Sequence, residues 1–443
     1  MYDLIIIGAG PAGYEAALYG AENGLNICLI ESHDVGGTCL NHGCIPTKTL
    51  LASSKRVYES RWLDRFGLPQ ANHVYPNFRQ MARRKDEIIS KLRTSIETAL
   101  DKAKVTRIKG VARLENQHQV LVNNEVIEGQ NIMIATGAKS SKIPIDGIEH
   151  CITSDQILEF SINDLDHLTI IGAGIIGIEI AQLYLNLNKK VTIIEAQSRI
   201  LPMMEREFAQ NVALALRQQG AEIHVNARAE RILDAHNLHI KTNKGEFDIH
   251  TSRILVATGR TPRGIKGDDI LEKDGQLIKV NENFQTNLAN VYAVGDTASQ
   301  VQLAHLATAQ GRRVIEHILN KEPSQDLSVI PSILYTNIEA ASIGLNSQDA
   351  TNLKSIKVVM MGHGKALIEN LDRGWIKLLI DPETDLIKGA HLYCYQASEI
   401  IGFLQLAMLQ KLTIGELAKA VLPHPSLAEV LMQAFLKYQA SNN

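Results

Sequence analysis

Two copies of one glycine-rich pattern restrict this 443-residue chain to a narrow set of folds. Each copy has a short apolar strand, a Gly-x-Gly-x-x-Gly triplet, a helical segment, a second apolar strand and an acidic residue. The key positions are Gly8, Gly10, Gly13 and Glu31 in the first copy, and Gly172, Gly174, Gly177 and Glu195 in the second. In both copies the acid lies 23 residues after the first glycine, so chance is a poor explanation. This order of parts predicts two parallel-sheet units, each binding a dinucleotide.

The loop between strand and helix is the predicted point of contact in both units. Glycines let the backbone approach a pyrophosphate at the helix N-terminus, and the acid accepts hydrogen bonds from ribose hydroxyls. The other loop residues assigned to this contact are Pro11, Ala12, Ile175 and Ile176. Because hydride transfer needs a donor and an acceptor, two such sites in one chain indicate an oxidoreductase.

A second repeat marks the ends of the two units. Ile134-Ala135-Thr136-Gly137 and Val256-Ala257-Thr258-Gly259 each follow an apolar strand, which places the units at residues 1–150 and 151–265. Residues 329–443 alternate apolar strands with helices and carry no nucleotide pattern, so we expect an α+β domain suited to subunit contact. The predicted class is α/β, with two Rossmann-like units and this C-terminal domain.

Residues 36–48 place Cys39 and Cys44 five positions apart. A disulfide needs Cα atoms within about 7 Å, which a regular helix does not provide at that spacing. Gly43 and Pro46 distort the turn, and this distortion can bring the two sulfurs together.

The surroundings of the two cysteines favour reactivity. A nearby helix start and Lys48 stabilise a thiolate, which is the reactive form of cysteine. Two other interpretations stay open, namely unreactive buried thiols and a metal site formed by Cys39, His42 and Cys44. No second ligand cluster of matching spacing occurs in the sequence, so we expect no metal.

The C-terminal region contains a candidate base. Pro423 and Pro425 fix the backbone around His424, and Glu429 lies within reach if a helix begins after Pro425. A carboxylate sets the tautomer of an imidazole and raises its pKa, which equips it to take a proton from a thiol. The alternative is an ordinary surface or core histidine.

A strand at residues 291–295 is predicted to end in an exposed acid, Asp296. A carboxylate there suits hydroxyl groups of the cofactor bound by the first unit. A turn aspartate that precedes a helix is the alternative.

Composition excludes several classes of function. A net charge of −3 and a pI near 6.6 give no basic field for nucleic acid or anionic lipid. The basic segment 79–104 predicts an amphipathic helix with Ile88, Leu92, Ile96 and Leu100 on one face. Five scattered cysteines do not form a secreted disulfide framework. Without a signal-like N-terminus or an apolar run of about 18 residues, the expected location is the cytoplasm, away from membranes.

Specific motifs support a family resemblance. They are Gly-Gly-Thr-Cys-Leu-Asn-x-Gly-Cys-Ile-Pro-x-Lys at 36–48, Leu303-Ala304-His305 after Gly295-Asp296, and His424-Pro425-x-x-x-Glu429. With the two glycine units, they make the chain resemble the class I pyridine nucleotide-disulfide oxidoreductases almost end to end, and within them the dihydrolipoyl dehydrogenase branch. The resemblance implies FAD in the first unit and NAD in the second. It also implies that residues 266–328 complete the FAD domain and that residues 329–443 form a homodimer interface.

The family pattern assigns roles to the reactive residues. It makes Cys39 the thiol that exchanges with substrate and Cys44 the thiol beside the flavin. Lys48 lies near flavin N5 and pairs with Glu179.

The same pattern makes His424 the base in the partner's site, oriented by Glu429. Further FAD contacts implied are Gly37, Thr38, Lys48, Ala112, Thr136, Gly137, Asp296, Leu303, Ala304 and His305. Further NAD contacts implied are Glu179, Ala229 and Gly259. Glu195 favours NAD over NADP, because an acid there repels a 2′-phosphate.

The implied reaction passes electrons between a dithiol, the Cys39–Cys44 disulfide, FAD and NAD, with dihydrolipoamide or a lipoyl domain of a 2-oxo acid dehydrogenase complex as substrate. The alternative is an NAD(P)H-dependent reductase of another disulfide, an oxidant or a metal ion, of the glutathione, mercuric or hypothiocyanous acid type. Residues 14–24 contain two Glu and no Lys or Arg, which suits an uncharged dithiol better than anionic glutathione. Residues 425–443 lack the cysteine pair of mercuric reductases.

A protein that binds FAD and NAD only as a sensor is the rival of a different class. The joint presence of the cysteine pair, Lys48 and His424 speaks against it. His42 departs from the apolar residue usual at its position in the family, which points to a shifted potential or pKa of the cysteine pair.

Overall fold

The computed structural model describes residues 1–69, 74–159, 165–350 and 352–441. The helices are α1 (Pro11–Glu22), α2 (Gly37–His42), α3 (Cys44–Glu59), α4 (Phe78–Lys102), α5 (Ser154–Ile157), α6 (Ile175–Asn186), α7 (Arg206–Gln218), α8 (Ala304–Ile318), α9 (Gly364–Ile368), α10 (Ala397–Leu409), α11 (Ile414–Leu417) and α12 (Glu429–Ala440). The strands are β1 (Tyr2–Ile7), β2 (Ile27–Glu31), β3 (Thr106–Lys109), β4 (Arg113–Leu114), β5 (Gln119–Val122), β6 (Glu125–Ile134), β7 (Ala138–Ser140), β8 (Ile152–Thr153), β9 (His167–Ile171), β10 (Lys190–Ile194), β11 (Glu222–His224), β12 (Ala227–Ile232), β13 (Asn237–Thr242), β14 (Gly245–His250), β15 (Arg253–Val256), β16 (Arg260–Pro262), β17 (Lys273–Asp274), β18 (Leu277–Ile278), β19 (Val291–Ala293), β20 (Ser332–Leu334), β21 (Glu339–Gly344), β22 (Lys354–Val359), β23 (Trp375–Ile380) and β24 (Ile387–Cys394).

The first compact unit comprises the described parts of residues 1–53, 71–165 and 255–327. Its main sheet has the order β3-β2-β1-β6-β5-β4, and β19 pairs with β6. β1 runs parallel to β2 and β6, with Ile5 opposite both Cys28 and Ile132. Because the sheet is covered on both faces, the centre of β1 is a continuous buried apolar run. The chain leaves the carboxyl end of β1 at Gly8, where a doubly wound sheet places its ligands.

The second compact unit comprises the described parts of residues 54–70, 166–254 and 328–443. It contains the parallel strands β9, β10 and β11 in the order β11-β10-β9, and the antiparallel sheet β12-β13-β14. A C-terminal antiparallel sheet has the order β20-β21-β24-β23-β22. Buried residues of α10 and α12 join this sheet in one hydrophobic core. The predicted α/β class with a C-terminal α+β region is therefore confirmed.

One predicted helix matches the structure in its bounds, and the predicted apolar face of another helix is wrong at one residue. The predicted helix 11–22 has the observed bounds of α1. In α4 the predicted apolar face is wrong at Leu92, which is 40% exposed, whereas Met81 and Ile89 are buried. Leu100 of the predicted series is buried and Ile96 is partly buried, so the prediction holds at the C-terminal end of α4. The division at residues 150, 265 and 328 stays a prediction.

In the part of the chain that the structure describes, no helix combines the length and apolar content that crossing a membrane requires.

Candidate active site

The first glycine loop is shaped by close backbone contacts. Gly8 has φ +103°, and a Cβ at Gly13 would lie 1.8 Å from the carbonyl oxygen of Gly8. A Cβ at Gly10, in contrast, has no neighbour closer than the Gly37 Cα at 4.0 Å. The outer glycines thus close the turn, and the middle glycine leaves an open cradle for a pyrophosphate at the start of α1.

The second glycine loop repeats this geometry. Gly172 has φ +101°, and a Cβ at Gly177 would lie 2.2 Å from the Gly172 carbonyl oxygen. A Cβ at Gly174 would have no neighbour within 4 Å. The residues present therefore fit a dinucleotide phosphate in each unit.

The two predicted acids also occupy equivalent places. Glu31 Oε2 accepts a hydrogen bond from Ala9 N at 2.7 Å, and Glu195 Oε2 accepts one from Ala173 N at 2.8 Å. Each carboxylate thus lies beside the first turn of its glycine loop. From there, it can reach the adenosine ribose of a bound dinucleotide.

The cysteine segment packs directly on the first glycine loop. Gly36 N donates to Ala9 O at 2.7 Å, and a Cβ at Gly37 would lie 2.6 Å from Gly10 Cα. A redox group on this segment is consequently adjacent to the dinucleotide cradle of the same unit.

A break between two helices brings the cysteines together. α2 ends at His42, Gly43 adopts φ −138° and ψ −108°, and α3 begins at Cys44. Gly43 therefore supplies the predicted distortion, whereas Pro46 lies in the first turn of α3, where proline is compatible with a helix.

Cys39 and Cys44 are thiols in this structure, and their side chains are hydrogen-bonded to each other. That hydrogen bond, burial and the negative charge of a Cys44 thiolate raise the pKa of Cys39, while the Lys48 ammonium opposes the rise. Cys44 lies at the N-terminus of α3, where the helix dipole favours negative charge.

The other three cysteines are buried, and burial raises their thiol pKa. The pKa is raised to about 12 for Cys28, about 11 for Cys151 and about 12 for Cys394. Burial therefore disfavours the thiolate form of these three cysteines.

The Asn41 side chain forms hydrogen bonds within the cysteine segment and with α4. Its Nδ2 donates to Val35 O at 3.0 Å and to Gly37 O at 2.9 Å, and its Oδ1 accepts from Arg93 Nη2 at 2.6 Å. Arg93 also lies 3.2 Å from Asp34 Oδ2. Sequence reasoning missed Arg93, because it treated the basic helix only as scaffold.

His42 turns to Glu159, with Nδ1 and Oε1 3.7 Å apart. Among the described residues, the group of His, Cys, Asp or Glu side chains close enough to share a metal ion is Glu230, His239 and Glu246. Cys39, His42 and Cys44 are not part of that group.

Asp296 is not exposed, contrary to the sequence expectation. Burial raises the pKa of its carboxyl group, and the charge of Arg260 opposes the rise. Arg260 itself donates to Ala138 O at 2.7 Å. The aspartate is half-buried in the short turn Gly295–Thr297 after β19.

The other predicted FAD contacts all lie in the first unit. Thr136 Oγ1 donates to Arg263 O at 2.7 Å, and Gly137 has φ +69°. The remaining positions are buried Ala112, Thr38 on α2, Leu303 before α8, and Ala304 and His305 in the first turn of α8.

The predicted NAD contacts divide between the two units. Glu179 is buried on α6 with its Oε1 accepting from Tyr335 N at 3.1 Å, and Ala229 lies on β12. Gly259, with φ +112°, belongs to the first unit, as does Lys48. The pairing of Lys48 with Glu179 stays a prediction.

His424 and Glu429 form a hydrogen-bonded pair, with Nδ1 and Oε1 2.9 Å apart. Glu429 Oε2 accepts from Ser426 N at 2.8 Å. The Ser426 N–H and the His424 imidazole lower the pKa of Glu429, so the carboxylate is ionised and Nδ1 is the nitrogen that donates to it. The His424 side chain is 81% exposed, which leaves Nε2 free to face a reactant. α12 begins only at Glu429, and a turn at Ser426 makes the contact.

Two models of one protein family match this chain. Residues 2–311 match the family model described as pyridine nucleotide-disulphide oxidoreductase, and residues 330–435 match the dimerisation domain of the same family. A curated dihydrolipoyl dehydrogenase of Mycoplasma pneumoniae is 35% identical over 97% of both chains. One from Thermus scotoductus is 34% identical over 98% of this chain and 96% of the relative.

Solved structures give the same fold. The HOCl-induced flavoprotein disulfide reductase RclA of Escherichia coli matches with a TM-score of 0.87 at 28% identity, covering 98% of this chain and 99% of RclA. LpdA of Mycobacterium tuberculosis matches with a TM-score of 0.88 at 23% identity over 98% and 99% of the two chains, which supports the fold alone.

Proposed function

The chain belongs to the pyridine nucleotide-disulphide oxidoreductase family, and from this premise we propose that it oxidises dihydrolipoamide with NAD⁺. It is an FAD-dependent, NAD-linked disulfide oxidoreductase. The observation that carries the proposal is the hydrogen-bonded Cys39–Cys44 pair on a segment packed against the first glycine loop.

FAD is assigned to the first unit and NAD to the second. Gly10 supplies the open cradle for FAD, with Glu31 beside it for the ribose. Gly174 and Glu195 supply the same pair of features for NAD. Bound FAD provides a two-electron carrier between the cysteine pair and NAD⁺.

The residues of the chain carry out the thiol chemistry. His424 of the partner subunit removes a proton from one substrate thiol at its exposed Nε2, and Glu429 stabilises the imidazolium that forms. The substrate thiolate attacks Sγ of Cys39 in the oxidised pair, the S–S bond breaks, and Cys44 leaves as a thiolate. The second substrate thiol attacks the mixed disulfide, and its proton passes to the released Cys39 sulfur. The substrate becomes a cyclic disulfide and the cysteine pair gains two electrons.

Lys48 and Glu179 complete the proposed set. The Lys48 ammonium acts on the Cys39 thiol and favours negative charge in the cysteine pair. Glu179 is held on α6 by the backbone of Tyr335, close in sequence to the second glycine loop.

The substrate assignment rests on charge and on relatives. Glu15 and Glu22 are the charged residues of segment 14–24, which suits an uncharged dithiol. The curated relatives from M. pneumoniae and T. scotoductus are named dihydrolipoyl dehydrogenases. A lipoyl domain of a 2-oxo acid dehydrogenase complex is a fitting macromolecular substrate, and a cytoplasmic homodimer is the assembly we propose.

A second candidate is an NAD(P)H-dependent reductase of an oxidant or a metal ion. It is favoured by the likeness to RclA, whose solved structures include a Cu(II) complex.

A substrate panel separates these candidates. Purified FAD-loaded protein is assayed with NAD and NADP against dihydrolipoamide, glutathione disulfide, Hg(II), Cu(II) and hypothiocyanous acid. We expect the highest kcat/KM for dihydrolipoamide with NAD⁺. A higher value for hypothiocyanous acid or Cu(II) with NADH or NADPH would favour the second candidate.

Two variants test the residue roles in the same assay. Cys44→Ser should abolish dithiol turnover while FAD stays bound, and loss of flavin together with activity would count against its role. His424→Gln should lower dihydrolipoamide oxidation by about 10² to 10⁴-fold with a normal fold, the range of a lost general base. Unchanged turnover would remove His424 as the base.

A further inference from the structure

Arg93 contacts the chain on both sides of Cys39. Its Nη2 donates to Asn41 Oδ1 at 2.6 Å and lies 3.2 Å from Asp34 Oδ2. Asp34 precedes α2 and Asn41 is in its last turn, so one planar guanidinium spans the helix that carries Cys39. Both contacts are made by the same nitrogen, so Arg93 links the residue before α2 to the last turn of α2 at one point.

Asn41 passes this restraint on to the backbone around Cys39. Its amide nitrogen donates to Val35 O at 3.0 Å and to Gly37 O at 2.9 Å, which closes the turn at the start of α2. Because Arg93 holds the oxygen of the same amide, the amide cannot rotate without losing three hydrogen bonds.

The effect of Arg93 on Cys39 is geometric rather than electrostatic. The side-chain charges that act on the Cys39 thiol are those of Cys44 and Lys48. The positive charge of Arg93 is instead engaged by Asp34. A replacement should therefore change the placement of Cys39 more than the charge around it.

We propose that Arg93 is a positioning residue that holds the Cys39 helix where Cys39 and Cys44 can close into a disulfide. The inference deepens the proposed function and rests on it. Closure forms the Sγ–Sγ bond and releases two electrons and two protons, which a disulfide reagent takes up to become a dithiol. Without the contacts to Asn41 and Asp34, the reduced segment gains conformational freedom that closure must remove, so the disulfide becomes less favourable.

The test is the thiol–disulfide equilibrium of the FAD-loaded protein in mixtures of reduced and oxidised dithiothreitol. Alkylation followed by mass spectrometry of the peptide with Cys39 and Cys44 measures the oxidised fraction. For Arg93→Met we expect an equilibrium constant for disulfide formation about tenfold lower than in the wild type, which is about 30 mV for a two-electron couple.

Arg83→Met is the matched control. Arg83 lies on the same helix and pairs with Glu87 at 2.9 Å with 73% of its side chain exposed, so its loss removes the same charge without touching α2. We expect the wild-type equilibrium for Arg83→Met and an intermediate one for Arg93→Lys, which keeps the charge but replaces the planar guanidinium with an ammonium group.

An unchanged equilibrium in folded Arg93→Met, or an equal shift in Arg83→Met, would overturn the inference. If Arg93→Met does not fold, Asp34→Asn removes the ion pair with Arg93 and keeps the Arg93–Asn41 hydrogen bond. It should shift the equilibrium in the same direction by a smaller factor. No shift there would equally overturn it. A wild-type protein that forms no Cys39–Cys44 disulfide in any mixture would instead refute the proposed function.

Discussion

Replacing two glycines of the second loop should separate cofactor binding from folding. At Gly174 a methyl group meets no atom within 4 Å, and the backbone there (φ −74°, ψ −177°) suits alanine. We expect Gly174→Ala to change the free energy of unfolding by about 1 kcal/mol or less. The methyl group fills the cradle of a pyrophosphate, and one charged hydrogen bond of about 1.5–3 kcal/mol is lost. The Kd for NADH should rise about 10- to 100-fold.

Gly177→Ala should show the opposite behaviour. The new Cβ would lie 2.2 Å from Gly172 O and 3.3 Å from the Ile170 side chain, so α6 must move away from β9. Overpacking of this kind costs about 1–3 kcal/mol or more. Both variants should keep full FAD content, because the loop at Gly10 is unchanged.

The assay combines an NADH titration by fluorescence quenching with thermal unfolding of the same FAD-loaded preparations. The reasoning is refuted if Gly174→Ala binds NADH within twofold of the wild type, or if Gly177→Ala unfolds at the wild-type temperature.

Two further predictions concern the second unit. Lys377→Met should lower the free energy of unfolding by about 3–5 kcal/mol, because it leaves buried Glu205, 3.1 Å from Lys377 Nζ, without its cation. Lys365→Met, at an exposed helical pair, should change it by about 0.5 kcal/mol or less in the same denaturant titration. Burial lowers the pKa of fully buried His391. The unfolded chain therefore takes up a proton below about pH 6.5 that the folded chain excludes, and stability should fall with acidification. His391→Gln should flatten this dependence, and an unchanged slope would contradict it.

The parts that could be predicted from the sequence are those set by local sterics. The roles of Gly8 and Gly13 follow from contacts within one turn, and the break at Gly43 acts between two adjacent helices. The pairing of His424 with Glu429 also spans only five residues.

The parts that could not be predicted depend on distant neighbours. Arg93 meets Asn41 across 52 residues, and no local periodicity signals that contact. Asp296 is half-buried, although its strand end favoured exposure. The buried face of α4 depends on the helices that it packs against, α1 and α2. The spacing of apolar residues in the sequence does not show these neighbours, so it wrongly predicts that Leu92 lies on the buried face.

Anaerobic addition of one equivalent of NADH to the oxidised, FAD-loaded protein tests most directly whether Cys39 and Cys44 exchange electrons with the nucleotides. Absorbance is recorded, the protein is then alkylated, and its cysteine-containing peptides are identified by mass spectrometry. We predict a long-wavelength thiolate-to-flavin band and two newly alkylated cysteines, Cys39 and Cys44, with no band in Cys44→Ser. Bleaching of the flavin while both cysteines stay resistant to alkylation would contradict the account.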